Sequence, residues 1–138
     1  MGAVQKSLRL PEETVKEIDR IAKERGEDFS ATAKNLLEEA IKMRRNPGII
    51  FTPGLSGRRA RVAGTGIEVW EIIAQYKSLN HSQKQLKQAF HWLAPGQIKA
   101  ALGYYVAYPY EIDDLIARNE QWTEETLERR YPALSPRV

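Results

Sequence analysis

The chain has no cysteine among its 138 residues. That excludes disulfides, thiolate nucleophiles and most zinc sites. Its two histidines, His81 and His91, lack the spacing of a helical metal motif and read as surface or capping residues. No apolar run approaches the roughly 20 residues of a membrane span, and the first residues lack the apolar core of a signal peptide. A cytoplasmic protein with no membrane partner is the expectation. The carboxylates fall at helical spacings or in the tail, where solvation and ion pairing account for them. Gly64-Thr65-Gly66 lacks both the Lys-Ser/Thr pair of a phosphate loop and the spacing of a dinucleotide fingerprint. With no Ser/His/Asp arrangement either, a non-enzyme without metal or cofactor is expected.

What is present is ordinary for a globular protein: 42% hydrophobic and 28% charged residues, which argues against wholesale disorder. The net charge of +3 hides a partition. Residues 1–48 hold ten basic and nine acidic side chains, residues 49–109 seven and two, residues 110–138 four and seven. The middle block therefore favours a polyanionic partner, and the tail does not.

Residues 4–11 alternate, with Leu8 and Leu10 on one side and Gln5, Ser7 and Arg9 on the other, the period of a strand. A strand so short cannot bury its apolar face alone, and two helical segments follow it directly. Pairing with the same strand of a second copy gives a two-stranded antiparallel ribbon, a shape that fits the DNA major groove. Pro11, the acidic pair Glu12 and Glu13, the stripe Val15, Ile18, Ile21 and Ala22, and Gly26 predict a helix over about 11–25. Ser30 as N-cap, the stripe Ala33, Leu36, Leu37, Ala40 and Ile41, and the stop at Asn46-Pro47-Gly48 predict a second over about 30–45. Fewer than 50 residues make a meagre monomeric core, which points to an intertwined dimer.

This segment, from Gln5-Lys6-Ser7-Leu8-Arg9-Leu10-Pro11 through Gly26, Ser30 and Leu36-Leu37, resembles the ribbon-helix-helix family of bacterial DNA-binding proteins, the Arc and MetJ type. The resemblance implies that Gln5, Ser7 and Arg9 read bases. It also implies that the start of the second helix, at Ser30 and Ala31, holds a phosphate. Glu27 and Asp28, just ahead of that anchor, oppose an anion unless they point away. The plainer alternative is a module that only dimerises.

From Ile49 the chain turns glycine-rich, and two short extended pieces joined by a turn explain residues 49–66. Arg58, Arg59 and Arg61 form a cluster there that suits a DNA backbone, or else a solvated hairpin tip. Helical stripes follow at Val69, Ile72, Ile73 and Tyr76, at Leu86, Ala89 and Phe90, at Ile98, Ala101, Leu102 and Tyr105, and at Ile112, Leu115 and Ile116. Ser82 with Gln85 signals a capping box. Basic positions Lys84, Lys87 and Lys99 make this a candidate helix-turn-helix. Pro53-Gly54, Gly57, Gly64-Thr65, Ile67-Glu68-Val69, Ser82, Leu93, Gln97-Ile98, Ala100-Ala101-Leu102 and Pro109-Tyr110-Glu111-Ile112 resemble the DUF433 family of small bacterial domains, often considered antitoxin components. The arginine usual in that family after the Gly-Thr pair is replaced by Gly66.

Taken together, a mainly α protein is expected. Residues 1–46 would be a dimeric ribbon-helix-helix with an intermolecular two-stranded sheet. Residues 49–118 would be a small helix-turn-helix-like domain with a β-hairpin, and residues 119–138 a tail whose Trp122 anchors a partner or folds back. By resemblance, the function is that of an antitoxin that binds operator DNA as a homodimer and neutralises a PIN-like ribonuclease toxin. Arg58, Arg59, Arg61, Lys84, Lys87, Gln97 and Lys99 would then contact DNA or toxin. The alternative is a stand-alone repressor with two DNA-binding modules and no toxin.

Overall fold

The computed structural model describes residues 2–54 and 57–120. The chain divides between Arg44 and Arg45 into two compact units.

In the first unit, helix α1 (Glu12–Arg25) and helix α2 (Phe29–Arg45) form where the apolar stripes predict them. Acidic residues open α1, Lys23 and Arg25 close it, and both complement the helix dipole. Gly26 ends the helix at φ 67°, a left-handed conformation that side chains disfavour. Its N–H donates to the Lys23 carbonyl while Glu27 N–H donates to that of Ala22, a Schellman closure. Residues 2–11 form no hydrogen-bonded strand within one chain. Ala22 is the one apolar residue buried among the described residues of this unit. Leu10, Val15, Ile18, Ile21 and Leu36 are only half-buried.

The second unit opens with strands β1 (Ile49–Gly54) and β2 (Gly57–Val62), an antiparallel pair in the register Ile49↔Val62 to Gly54↔Gly57. Alternation puts Ile49, Phe51, Ala60 and Val62 on the inner face. Ahead of the hairpin, Gly48 has φ 94°, and a Cβ there would meet that of Ala100 at 3.3 Å. Four helices follow: α3 (Val69–Ser78), α4 (Gln83–Ala89), α5 (Pro95–Ala107) and α6 (Pro109–Glu120). Pro109 both ends α5 and opens α6, where its missing N–H costs nothing. Ile72 and Ile73 of α3, Leu86 of α4, Ile98, Ala101 and Tyr104 of α5 and Ile112 of α6 share one core with the hairpin. Each such aliphatic side chain contributes about 1.5–3 kcal/mol by leaving water.

Ser82 caps α4 as its sequence suggests, accepting from Gln85 N–H at 3.2 Å. The capping box is only half-formed, because Ser82 N–H donates instead to the Leu79 carbonyl at 3.2 Å.

Candidate nucleic-acid and partner interfaces

Gln5, Ser7 and Arg9 are all exposed. So are Val4 at 78% and Leu8 at 69%, which the alternation assigns to the opposite, apolar side. The strand pattern thus has water on both faces in a single copy. On α2 the apolar stripe is uncovered in part: Leu37 is 61% exposed and Ile41 52%, while Ala33 and Leu36 are half-buried.

The start of α2 differs from expectation. Its N-cap is Asp28 rather than Ser30: the Asp28 carboxylate accepts from Ala31 N–H at 2.7 Å, and the Asp28 carbonyl accepts from Thr32 N–H. Asp and Ser are comparable N-caps, and Asp28 stands two residues before Ser30, so Ser30 lies inside the first turn. The Ala31 amide assigned to phosphate is therefore already held by a carboxylate. Glu27 also turns towards the helix, accepting from the Thr32 hydroxyl at 3.4 Å and from Asn35 Nδ2 at 3.2 Å. Deeper in the unit, Arg25 faces the buried carboxylate of Glu39 at 3.9 Å.

In the second unit the three arginines do not form one outward cluster. Arg58 is exposed, yet its Nη2 donates to the Phe51 carbonyl at 3.0 Å. Arg59 Nε lies 3.6 Å from the Glu68 carboxylate, both side chains more than four-fifths buried. The other oxygen of Glu68 accepts from Trp70 Nε1 at 3.2 Å. Arg61 is half-buried, and its Nε has no hydrogen-bond acceptor. Arg59 thus braces the hairpin against Glu68 at the start of α3, while the Arg58 bond stays within the hairpin. Gln97 is similarly engaged: its Oε1 accepts from Ala94 N–H at 2.8 Å and its Nε2 donates to the Ala63 carbonyl at 3.4 Å. The amide thus ties the first turn of α5 to the loop after β2.

Lys84, Lys87 and Lys99 are exposed as expected. They lie in a long acid-free stretch, for no Asp or Glu occurs between Glu71 and Glu111. Between α4 and α5 runs an open groove of about 470 Å³, lined by Lys87 and Lys99 and by apolar residues of α5. In the α4–α5 connection Trp92 is 61% exposed and packs edge-on against Phe90 and His91. His81 packs edge-on against Tyr76, with ring centroids 5.0 Å apart. Among the described residues, no group of three or more His, Asp or Glu is placed to hold a metal ion. Trp122 lies outside the described residues.

Two polar clusters carry no local sequence signal. Tyr104, fully buried, donates its hydroxyl to Glu111 at 2.6 Å. Asp113 Oδ1 accepts from Lys77 Nζ at 2.6 Å and from the Tyr105 hydroxyl at 2.8 Å, joining α3, α5 and α6. The Lys77 bond, then that of Tyr105, holds the Asp113 carboxyl below its ordinary range. Asp113, then Tyr105, raises the Lys77 ammonium above its own. The only sequence hint was spacing, since Tyr104 to Glu111 and Tyr105 to Asp113 bridge the α5–α6 corner.

The family described as protein of unknown function (DUF433) matches residues 49–105. Among solved structures, the crystal structure of a DUF433 member protein from Anabaena variabilis is 32% identical. That alignment covers 78% of this chain and 86% of that one, with a TM-score of 0.43. No curated protein matches the chain.

Proposed function

The chain belongs to the DUF433 family, and from that footing we propose that it is a homodimeric, operator-binding antitoxin. The observation that carries the reading is the uncovered apolar side of the first unit. Val4, Leu8, Leu37 and Ile41 are all more than half exposed in one chain, and the unit has almost no core of its own. Burial against a second copy removes this cost. A ribbon formed by residues 4–11 of two copies would close over Leu8 and present Gln5, Ser7 and Arg9 outward. Those side chains supply the amide, hydroxyl and guanidinium groups that read base edges. The toxin-binding half of the proposal rests on the DUF433 resemblance, with a PIN-like ribonuclease as the partner class.

The test of the DNA half is Gln5→Ala with Arg9→Ala in a binding assay on the DNA upstream of the gene. Loss of sequence preference is the expected result; unchanged specific affinity removes the ribbon from the reading role. The toxin half is tested by co-expression with the neighbouring gene product. Failure both to co-purify and to relieve toxicity ends it.

A second reading, a repressor with two DNA-binding modules, is favoured by the acid-free stretch between Glu71 and Glu111. On that reading, neutralising Lys84, Lys87 and Lys99 together weakens binding uniformly across sequences and lowers the salt slope. An unaltered slope counts against it.

A further inference from the structure

The α4–α5 groove combines features that neither solvent exposure nor core packing explains. Its floor is apolar: Ile98 is buried, Leu102 half-buried, and Val106 stands 81% exposed at the open end. Lys87 on α4 and Lys99 on α5 both line the trough and are exposed. Gly96 and Gly103 open its length, since a Cβ built on either meets nothing within 4 Å. Gly96, Lys99, Gly103 and Val106 follow one another at steps of three, four and three, so they form one stripe along α5. The trough, about 470 Å³, accommodates a few side chains rather than a whole helix.

We infer that this groove docks the apolar stripe of an acidic amphipathic helix from a protein partner. The inference rests on the protein-binding half of the function proposed above and places the partner's segment in the fold. Charge decides the kind of helix. The lysines have no carboxylate near them in sequence, from Glu71 to Glu111, so the incoming segment supplies the anionic groups beside its leucine- or isoleucine-type anchors. A nucleic-acid backbone would satisfy the lysines but would leave the apolar floor facing phosphate and water. A wholly apolar segment would leave the lysines without a role.

The experiment uses the full chain, isotopically labelled, titrated with a synthetic helical peptide of glutamate and leucine. Its leucines stand at three- and four-residue spacing. Chemical-shift changes confined to α4 and α5 are expected, with roughly tenfold weaker binding after Lys87→Glu and Lys99→Glu together. Gly103→Leu projects a side chain into open space and improves helix propensity, so the fold is kept or stabilised while the trough is filled. It should abolish peptide binding, whereas Gly103→Ala, too small to fill the trough, should retain it. Four outcomes overturn the inference: no binding at this face, binding unaffected by Gly103→Leu, equal binding of a peptide with serine for leucine, or tighter binding of duplex DNA on the same resonances. None of them bears on the ribbon, because loss of operator recognition in the Gln5 and Arg9 variants is read on a different unit.

Discussion

Asp113 shows how much of the second unit depends on side chains far apart in sequence. Its carboxylate accepts from Lys77 and Tyr105 and so holds three helices at one point. Because its pKa is lowered on folding, its contribution is full above the ordinary carboxylate range and is lost as pH falls through the lowered value. Lys77, raised on folding, contributes fully below its ordinary range and loses that contribution as pH rises through its raised value. The Lys77 and Asp113 side chains are 35% and 42% exposed, so solvent screening keeps the pair small. Asp113→Asn is expected to cost about 0.5–1 kcal/mol at neutral pH, and the deficit should shrink in acid, as pH falls through the lowered Asp113 value and its carboxyl becomes neutral like the amide. Urea unfolding of both proteins at neutral and acid pH checks this; a deficit that persists in acid assigns the loss to packing instead. Tyr104 is the buried counterpart. Tyr104→Phe removes the donor to Glu111 at an expected cost of about 1–2 kcal/mol, measured by the same unfolding curves. No measurable cost would show that water replaces the hydroxyl.

At the scale of elements, the helices and hairpin were legible because their signals are local. Apolar stripes, Gly26, Ser82 and Pro109 each act within a turn or two of their own position, and α1 and α3–α6 form where those signals stand. The start of α2 was misread because Asp28 and Ser30 are both good caps two residues apart. The functional side chains were less legible. Charge marks Arg58 and Arg59, and family resemblance Gln97, as candidates for an external partner, but only the fold brings the Phe51 carbonyl, Glu68 and the Ala63 carbonyl within their respective reach. On the proposed DNA-binding function, the cap at Asp28 would place its charge where a phosphate is to be held. Asp28→Asn keeps the acceptor for Ala31 and removes the charge. Operator affinity should tighten about two- to fivefold, matching the roughly 0.3–1 kcal/mol that a charge carries near a helix end. Fluorescence anisotropy with labelled operator reads the change. Unchanged affinity would show that this helix start does not approach the backbone.

For the whole molecule, the central claim is that the first unit is complete only when two copies share it. Among the described residues, one chain there buries a single apolar residue and leaves Val4, Leu8, Leu37 and Ile41 in water, whereas the second unit encloses a core of its own. On the proposed function the two units would divide the work: the first would supply dimerisation and base reading, and the second the lysine-lined groove for a partner. The most direct measurement is the solution mass of the full chain by sedimentation equilibrium, beside that of Leu8→Glu, which places a charge on the ribbon's inner side. The account predicts twice the chain mass for the wild type at micromolar concentration. For Leu8→Glu it predicts a single-chain mass with reduced helical signal. A wild-type protein at one chain mass with its full helical signal would contradict it.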